Sequence, residues 1–351
     1  MVSIIVSSTT TLLKSWDNKI EFEGGIGHIK VDEDLRSLSA DIISRICFGS
    51  NYSKGKEICL KLKALHKAMS RKGLLIGVPG LRELHYIKYS ISYLPTKNNR
   101  EMWNIEKEIR LLILQVIKER QKAKSEMDLL QSILDGSTNG ELGGYKADDY
   151  IIDNCKNICF AGHETVATSA SWILMLLASH PEWQARVRDE VIQACGGCLP
   201  NIDMIRKMKT LTMVIQEALR LYPPAPFVTR EVFTDMQFGD THVPKGVVLW
   251  IPLISMHKDP TIWGPDVHMF NPDRFAQGIR NACNPSQAYI PFGIGPRVCA
   301  GQNLAMFELK ITLALILSNF LFTFSPQYCH SPSFKLVIEP GRGVDLLIRK
   351  V

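Results

Sequence analysis

The sequence predicts a mainly α fold with small β-sheets, an α+β architecture. Three observations carry this. Most of the first 220 residues show apolar side chains at helical spacing. Residues 227–257 switch to alternation, with many β-branched residues and glycine turns. A Gly- and Pro-rich loop, FGIGPRVCAG (Phe292 to Gly301), runs straight into the long apolar helix pattern NLAMFELKITLALILSNFLF.

Length and composition set the outer bounds. At 351 residues and 46% hydrophobic, the chain can bury a large core. The net charge of +6 permits a basic face for an acidic partner protein. No dense Arg/Lys run with interleaved aromatics points to nucleic acid. Nine scattered cysteines, an odd count in a long chain, argue for reduced thiols rather than a disulfide framework. The opening MVSIIVSSTTTLL lacks a basic n-region and a clear cleavage site. It is also shorter and more polar than the ~20 apolar residues that span a bilayer. The run from Ile311 to Phe324 contains Thr, Ser and Asn and reads as a buried core helix.

In chain order, VDEDLRSLSADIISRICFG (Val31 to Gly49) is a helix with Gly49 as its stop. GKEICLKLKALHKAMSRKG is a second amphipathic segment, ending at Gly73. LLIGVPGLRELHYIKYSISYLPTKNN is a connection punctuated by Pro and Gly. NREMWNIEKEIRLLILQVIKERQKAKSE is a long helix with one charged, solvated face. GGIG at Gly24 to Gly27 lacks the third glycine and the preceding strand of a dinucleotide fingerprint. DGSTNGELGG (Asp135 to Gly144) reads as a polar surface loop.

The longest helix pattern runs from about Asp148 to His180 and stops at Pro181. Its second half is apolar nearly all round and should be buried. Its middle reads AGHETV, Ala161 to Val166. Gly162 costs helix stability, about 1 kcal/mol against Ala. Thr165 can bond back to the Ala161 carbonyl and open the helix locally. Small residues there would leave room for a ligand, and Glu164 with Thr165 would form an acid–alcohol proton relay. A kinked core helix without chemistry is the alternative. A zinc HExxH reading fails, because the position four after His163 is Ala167. CGGC (Cys195 to Cys198) could be a redox pair or half a zinc site. A Gly-rich loop closing the helix HPEWQARVRDEVIQA is the simpler reading.

TLTMVIQEALRLYPPAP is a helix ending at Pro223. Glu217 and Arg220 lie three apart and share a face. An exposed pair would be worth about 0.3–0.5 kcal/mol, but Leu219, Leu221 and the Pro-Pro stop suggest burial. FVTREVFTDMQFGDTHVPKGVVLWIPLISMH gives short strands, with turns at Gly239-Asp240 and Pro244-Lys245-Gly246.

In FGIGPRVCAG, the helix that follows would favour a thiolate at Cys299. Gly293, Gly295 and Gly301 let backbone pass close under a flat macrocycle. Arg297 could reach a carboxylate on the rim of that macrocycle. Phe292 would pack beside the sulfur and exclude water. Each residue has a role if the ligand is haem. A buried free cysteine acting as a small hydrophobe is the alternative, and it leaves the glycines and the arginine unexplained.

FGIGPRVCAG resembles the haem-binding loop of cytochromes P450, FxxGxRxCxG, at every specified position. AGHET resembles the family's distal-helix AGxET, with Val166 where a second threonine is common. EALR (Glu217 to Arg220) has the ExxR spacing, and Arg274 in FNPDRF matches the arginine of the PxRF segment. The four motifs fall in the family's order, and the resemblance covers essentially the whole chain. LRSLSADIISRICFGSNYSKGKEI and LLIGVPGL look most like plant P450s that oxidise gibberellins and related terpenoids.

The resemblance implies haem b on Cys299, held by Phe292, Gly293, Arg297 and Gly301, with Arg230 on a propionate and Ala161 beside the macrocycle. It implies proton delivery by Glu164 and Thr165. It also implies a structural triad of Glu217, Arg220 and Arg274, and an apolar substrate against Phe160, Phe227 and Val228. FKLVIEPGRGVDLLIRKV resembles the last hairpin, whose turn near Gly341 to Val344 would reach substrate. Electrons would come from NADPH through NADPH-cytochrome P450 reductase, docked by its acidic surface. Family members are bound to the endoplasmic reticulum membrane and face the cytosol.

The family carries a longer N-terminal portion than precedes these motifs, with a membrane anchor and a WxxxR helix. Neither Trp16 nor Trp103 is followed by the arginine. The expectation is a single P450 catalytic domain over 1–351, with a P450 fold lacking its N-terminal portion. Two other readings stay open: a fragment unable to retain haem, and a haem-thiolate isomerase or dehydratase.

Overall fold

A computed structural model describes residues 1–70, 96–122, 128–139, 144 and 146–351. The chain forms two compact units. One comprises Met1 with Arg36–Glu164, the other Val2–Leu35 with Thr165–Val351.

The first unit is helical. It takes most of α2 (Val31–Phe48) and all of α3 (Tyr52–Ser70), α4 (Lys97–Lys122) and α5 (Leu129–Asn139), then the first half of α6 (Ala147–Ser179). Ile42, Ile43, Phe48, Ile58, Leu62, Ile109, Ile113 and Val116 form its core. The charged face of α4 meets α3 through Lys61–Glu108 at 2.8 Å, and through a Lys54–Glu119 pair that Asn51 also joins. Arg120 is buried and spans the carbonyl of Phe48 and the Asp128 carboxylate.

The expected surface loop from Asp135 is in part helix, since α5 continues to Asn139. Ser137 donates to the Leu134 carbonyl, and Thr138 to that of Asp135. These hydroxyls bond back along the helix and so tolerate the turn-like composition. Residues 140–143 and the connection at 71–95 lie outside the described residues.

The second unit combines helices with four small antiparallel sheets. Helix α1 (Val2–Phe22) packs along α12 (Gln302–Asn319), with Trp16 tilted on Phe320 at 5.8 Å. Helix α12 is buried along most of its length, from Glu308 to Leu317. Arg188 of α7 (Pro181–Cys195) caps its C-terminal carbonyls, at Leu317 and Phe320. Strand β1 (Gly27–Lys30), which sequence reading missed, pairs with β9 (Asp345–Lys350), and β9 pairs in turn with β6 (Phe320–Phe324). The two ends of the chain thus share one sheet.

The alternating stretch folds as expected, into β2 (Phe227–Glu231) with β5 (Val248–Pro252) and β3 (Met236–Phe238) with β4 (Thr241–Val243). The tail differs from expectation. Its hairpin is β7 (Pro332–Lys335) with β8 (Val337–Pro340), turning at Leu336. The residues at 341–344 lead instead into β9. There Val344 is fully buried and donates its N–H to Asp32 at 2.9 Å.

At CGGC, Gly196 takes the left-handed conformation that ends α7, and its N–H returns to the Ile192 carbonyl. The motif is a helix stop, and the short helices α8 (Ile202–Lys207) and α11 (Pro260–Trp263) lie further along the chain. Among the described residues, no helix is long and apolar enough to cross a membrane.

Candidate functional site

The loop from Phe292 to Gly301 belongs to the second unit. Gly293 and Gly295 have φ of 72° and 76°, a region that costs other residues strain. This lets the chain turn back, so that the Cys299 N–H donates to the Phe292 carbonyl at 2.8 Å. A short 3-10 turn, Gly295–Arg297, fills the loop. Helix α12 begins at Gln302, three residues after Cys299, with Gly301 as its cap. A Cβ on Gly301 would stand 4.0 Å from Cys299 Sγ. Cys299 is a free, exposed thiol, whereas Cys47, Cys59, Cys155 and Cys159 are buried. Ile294 and Val298 beside it are about half exposed, at 52% and 49%. Arg297 is also exposed.

The loop is anchored by an ion-pair core. Glu217 and Arg220, on α9 (Lys209–Leu221), are fully buried and joined by two bonds of 2.7 Å. Arg220 also donates to the carbonyls of His257 at 2.9 Å, Val267 at 2.7 Å and Met269 at 3.2 Å. These five bonds employ all five guanidinium N–H donors. Glu217 accepts the Asn271 N–H at 3.0 Å, and Arg274 Nε lies 3.5 Å from its Oε1. Arg274 donates to the carbonyls of Trp263 and Asp266 and pairs with the Asp266 carboxylate. That hydrogen bond from Arg274 holds the Asp266 carboxyl below its usual range. The structure thus brings Glu217, Arg220 and Arg274 together, and they tie α9 to the segment leading into the Cys299 loop.

In α6 the helix runs unbroken through AGHETV. Ala161 is exposed, and Phe160 and Thr165 are half-buried. Phe160 lies against His66, ring centroids 3.9 Å apart. The Thr165 carbonyl accepts the Ser169 hydroxyl at 2.9 Å. Gly162 is not opposite a ligand space. A Cβ there would meet Ile43 Cδ1 at 2.5 Å, and its carbonyl accepts the Ser39 hydroxyl at 3.1 Å. The glycine is explained by close packing of α2 on α6. Glu164 is buried, 3.7 Å from Arg36 Nε and 3.5 Å from His163 Nδ1. Burial pushes the His163 imidazole below its ordinary value, so the ring is neutral at pH 7.

On β2, Phe227 packs on Trp250 at 4.4 Å and near Phe334 at 6.0 Å. Val228 is half-buried. Arg230 is half-buried and donates to the Thr229 carbonyl at 2.8 Å.

Sequence reading passed over two residues of these networks, Arg36 and His257. An arginine sharing a helix face with Ser39, Ala40 and Ile43, and a histidine closing the run LISMH, were the available signals.

The family description "Cytochrome P450" matches residues 1–344. The chain belongs to the cytochrome P450 family. It is 52% identical over its full length to Cytochrome P450 714C2 of Oryza sativa subsp. japonica, of which it covers 66%. It is 46% identical to Cytochrome P450 714B3 of Zea mays, with 63% of that chain covered. Against Cytochrome P450 714A2 of Arabidopsis thaliana, 98% of this chain matches at 43% identity. The chain therefore spans just under two thirds of the length of these relatives. The residues present fit the P450 cofactor, haem. An exposed thiol sits just before a helix start, left-handed glycines turn the loop, and apolar Ile294 and Val298 stand uncovered beside the cysteine.

Proposed function

We propose that the chain is the catalytic domain, taken as one over 1–351, of a haem-thiolate monooxygenase. It would insert one oxygen atom of O2 into an apolar substrate, a gibberellin or another terpenoid. The second oxygen atom leaves as water, with NADPH as the two-electron donor through a reductase. The observation that carries the reading is Cys299, a free thiol exposed in a glycine-turned loop at the start of α12. Bound through this sulfur, haem would supply reductive activation of dioxygen.

The chain's own residues do the rest. Residues 302 onward place helix N–H groups and partial positive charge near the sulfur, which favours the thiolate. With the macrocycle bound, Phe292 would help exclude water from the sulfur, and Gly293 and Gly301 would keep side chains out of the macrocycle's way. Arg297 and Arg230 would hold the propionates by charge-assisted hydrogen bonds. Ala161 would lie beside the macrocycle, on the α6 face that it shares with Thr165, four residues on. Glu164, with Thr165 next to it, moves protons toward the reacting oxygen. Its Oε1 is buried and accepts no hydrogen bond among the described residues, which suits an acid that passes a proton on. Arg36 beside it supplies the compensating charge. Phe160, Phe227 and Val228 offer apolar contact to the substrate. The Glu217–Arg220–Arg274 core keeps the Cys299 loop in register.

A reductase with an acidic surface suits the chain's net positive charge of +6. The terpenoid assignment rests on the likeness of residues 35–58 and 74–81 to plant P450s that oxidise gibberellins and related terpenoids. Association of the whole protein with the endoplasmic reticulum membrane, cytosolic side, belongs to the same reading.

The test is the reduced, carbon-monoxide difference spectrum of the haem-loaded chain. A thiolate-type Soret band is expected, and Cys299→Ser should abolish it. An unchanged spectrum in Cys299→Ser would overturn the assignment. Product analysis with a gibberellin, NADPH and reductase then tests the substrate class.

A further inference from the structure

His257 is fully buried and has no part in the chemistry described so far. It closes α10 (Leu253–His257), and its ring sits in an aromatic box. Tyr289 stacks on it at 5.5 Å and Trp263 meets it edge-on at 6.1 Å. The ring makes one hydrogen bond there: the backbone N–H of Ile290 donates to Nε2 at 3.2 Å. The carbonyl of the same residue accepts Arg220 Nη1. His257 therefore touches the ion-pair core through its backbone and the root of the Cys299 loop through its ring.

Two further bonds connect that root to the sulfur. The Gly293 N–H donates to the Ile290 carbonyl at 2.9 Å, and the Cys299 N–H donates to the Phe292 carbonyl. A second tether, from the Tyr289 hydroxyl to the Gln216 carbonyl at 2.9 Å, holds the same root to α9. We propose that His257 is a positioning residue that fixes the root of the Cys299 loop, acting as a neutral acceptor for the Ile290 N–H. The proposal deepens the haem-thiolate reading and rests on it for its functional consequence.

The tautomer follows from the donor. Ile290 brings the proton, so Nε2 carries a lone pair and the ring proton sits on Nδ1. Nδ1 is buried and has no hydrogen-bond partner among the described residues. Packing alone does not account for this. A phenylalanine would fill the aromatic box without leaving a buried polar atom unpaired. Without the imidazole, however, the buried Ile290 amide would lose its acceptor. The charged ring is disfavoured by burial and by the nearby Arg220 guanidinium. It would also set one N–H against another. The other ionisable groups nearby are Glu217, already paired with Arg220, then Lys258 and Tyr289.

Three readouts on the whole chain test this. In the haem-free protein with ring-labelled histidine, nitrogen NMR at neutral pH should show His257 protonated on Nδ1 and bare on Nε2. A proton on Nε2 overturns the proposal without any variant. In hydrogen exchange over residues 286–301, His257→Phe should speed exchange of the Ile290 amide about five- to ten-fold, the loss of one hydrogen bond. His257→Gln, whose side-chain carbonyl can accept the same N–H, should recover most of that protection. Unchanged exchange in His257→Phe, or no difference between the two variants, overturns the proposal. Should His257→Phe fail to fold, the tautomer decides. After haem loading, His257→Phe should give a smaller thiolate-type fraction in the carbon monoxide spectrum, and His257→Gln should restore it. The wild-type spectrum tests the haem reading separately, because the tautomer and the exchange need no haem.

Discussion

Ile43 fills the space that a side chain at Gly162 would occupy, with Cδ1 2.5 Å and Cγ1 2.8 Å from the missing Cβ. Two effects oppose each other in Gly162→Ala. Helix propensity gains about 1 kcal/mol. Overpacking a filled core costs about 1–3 kcal/mol, and Ile43 is 2% exposed, so it has little room to move. The net expectation is a destabilisation of about 1 kcal/mol. Ile43→Val removes Cδ1, so the double variant should be more stable than the sum of the singles by about 1 kcal/mol. Urea midpoints of the four proteins measure this, and strict additivity would show that the contact does not set the glycine. The glycine was visible in the sequence but its reason was not. A small residue beside Glu164 and Thr165 looks like ligand space when the opposing helix, more than a hundred residues away, is unknown. The Cys299 loop was legible for the opposite reason. Its glycines, arginine and cysteine lie within ten residues, so the chemistry is written locally.

At the level of elements, Arg220 ties α9 to the chain that follows it. Arg220 binds Glu217 and three carbonyls, those of His257, Val267 and Met269, and so holds the segment that precedes the Cys299 loop. A lysine would keep the charge but has three donors on one nitrogen and no planar fork. Arg220→Lys would therefore strand buried carbonyls, each worth about 1–3 kcal/mol when unpaired. The expected loss is about 3 kcal/mol or more, read as a fall in the urea midpoint, with haem retention falling alongside it. A loss below about 1 kcal/mol would mean that the carbonyls find other partners. The sequence showed Glu217 and Arg220 on one face, but not the carbonyls, which arrive from residues 37 to 49 positions later. The same limit hid β1. Four residues, GHIK, carry too little pattern, and their partner β9 lies at the far end of the chain. In DGSTN, turn-forming residues masked a helix whose hydroxyls bond back to the preceding turn.

For the whole molecule, the buried histidines set a direction for its response to acid. Burial first, and then Arg220, push the His257 imidazole down to about 4 from an ordinary 6.5. His66 and His163 are shifted the same way, in each case chiefly by burial. A depressed histidine contributes its full stability above the unfolded value, where both states are neutral. As pH falls below 6.5, the unfolded chain takes up a proton that the folded chain refuses. The contribution is lost progressively until the folded group itself titrates, near pH 4 for His257. Arg220, its partner Glu217 and Lys258 are the charged groups that lie near His257. For His257 alone the loss is on the order of 3 kcal/mol, the free-energy equivalent of its shift. Urea unfolding of the wild type should weaken steadily from pH 6.5 to 4.5. His257→Gln keeps an acceptor for Ile290 but cannot titrate, so its stability should fall less over the same range. Parallel curves for the two proteins would mean that His257 is not held neutral in the fold, and the acid response would then belong to the other buried histidines.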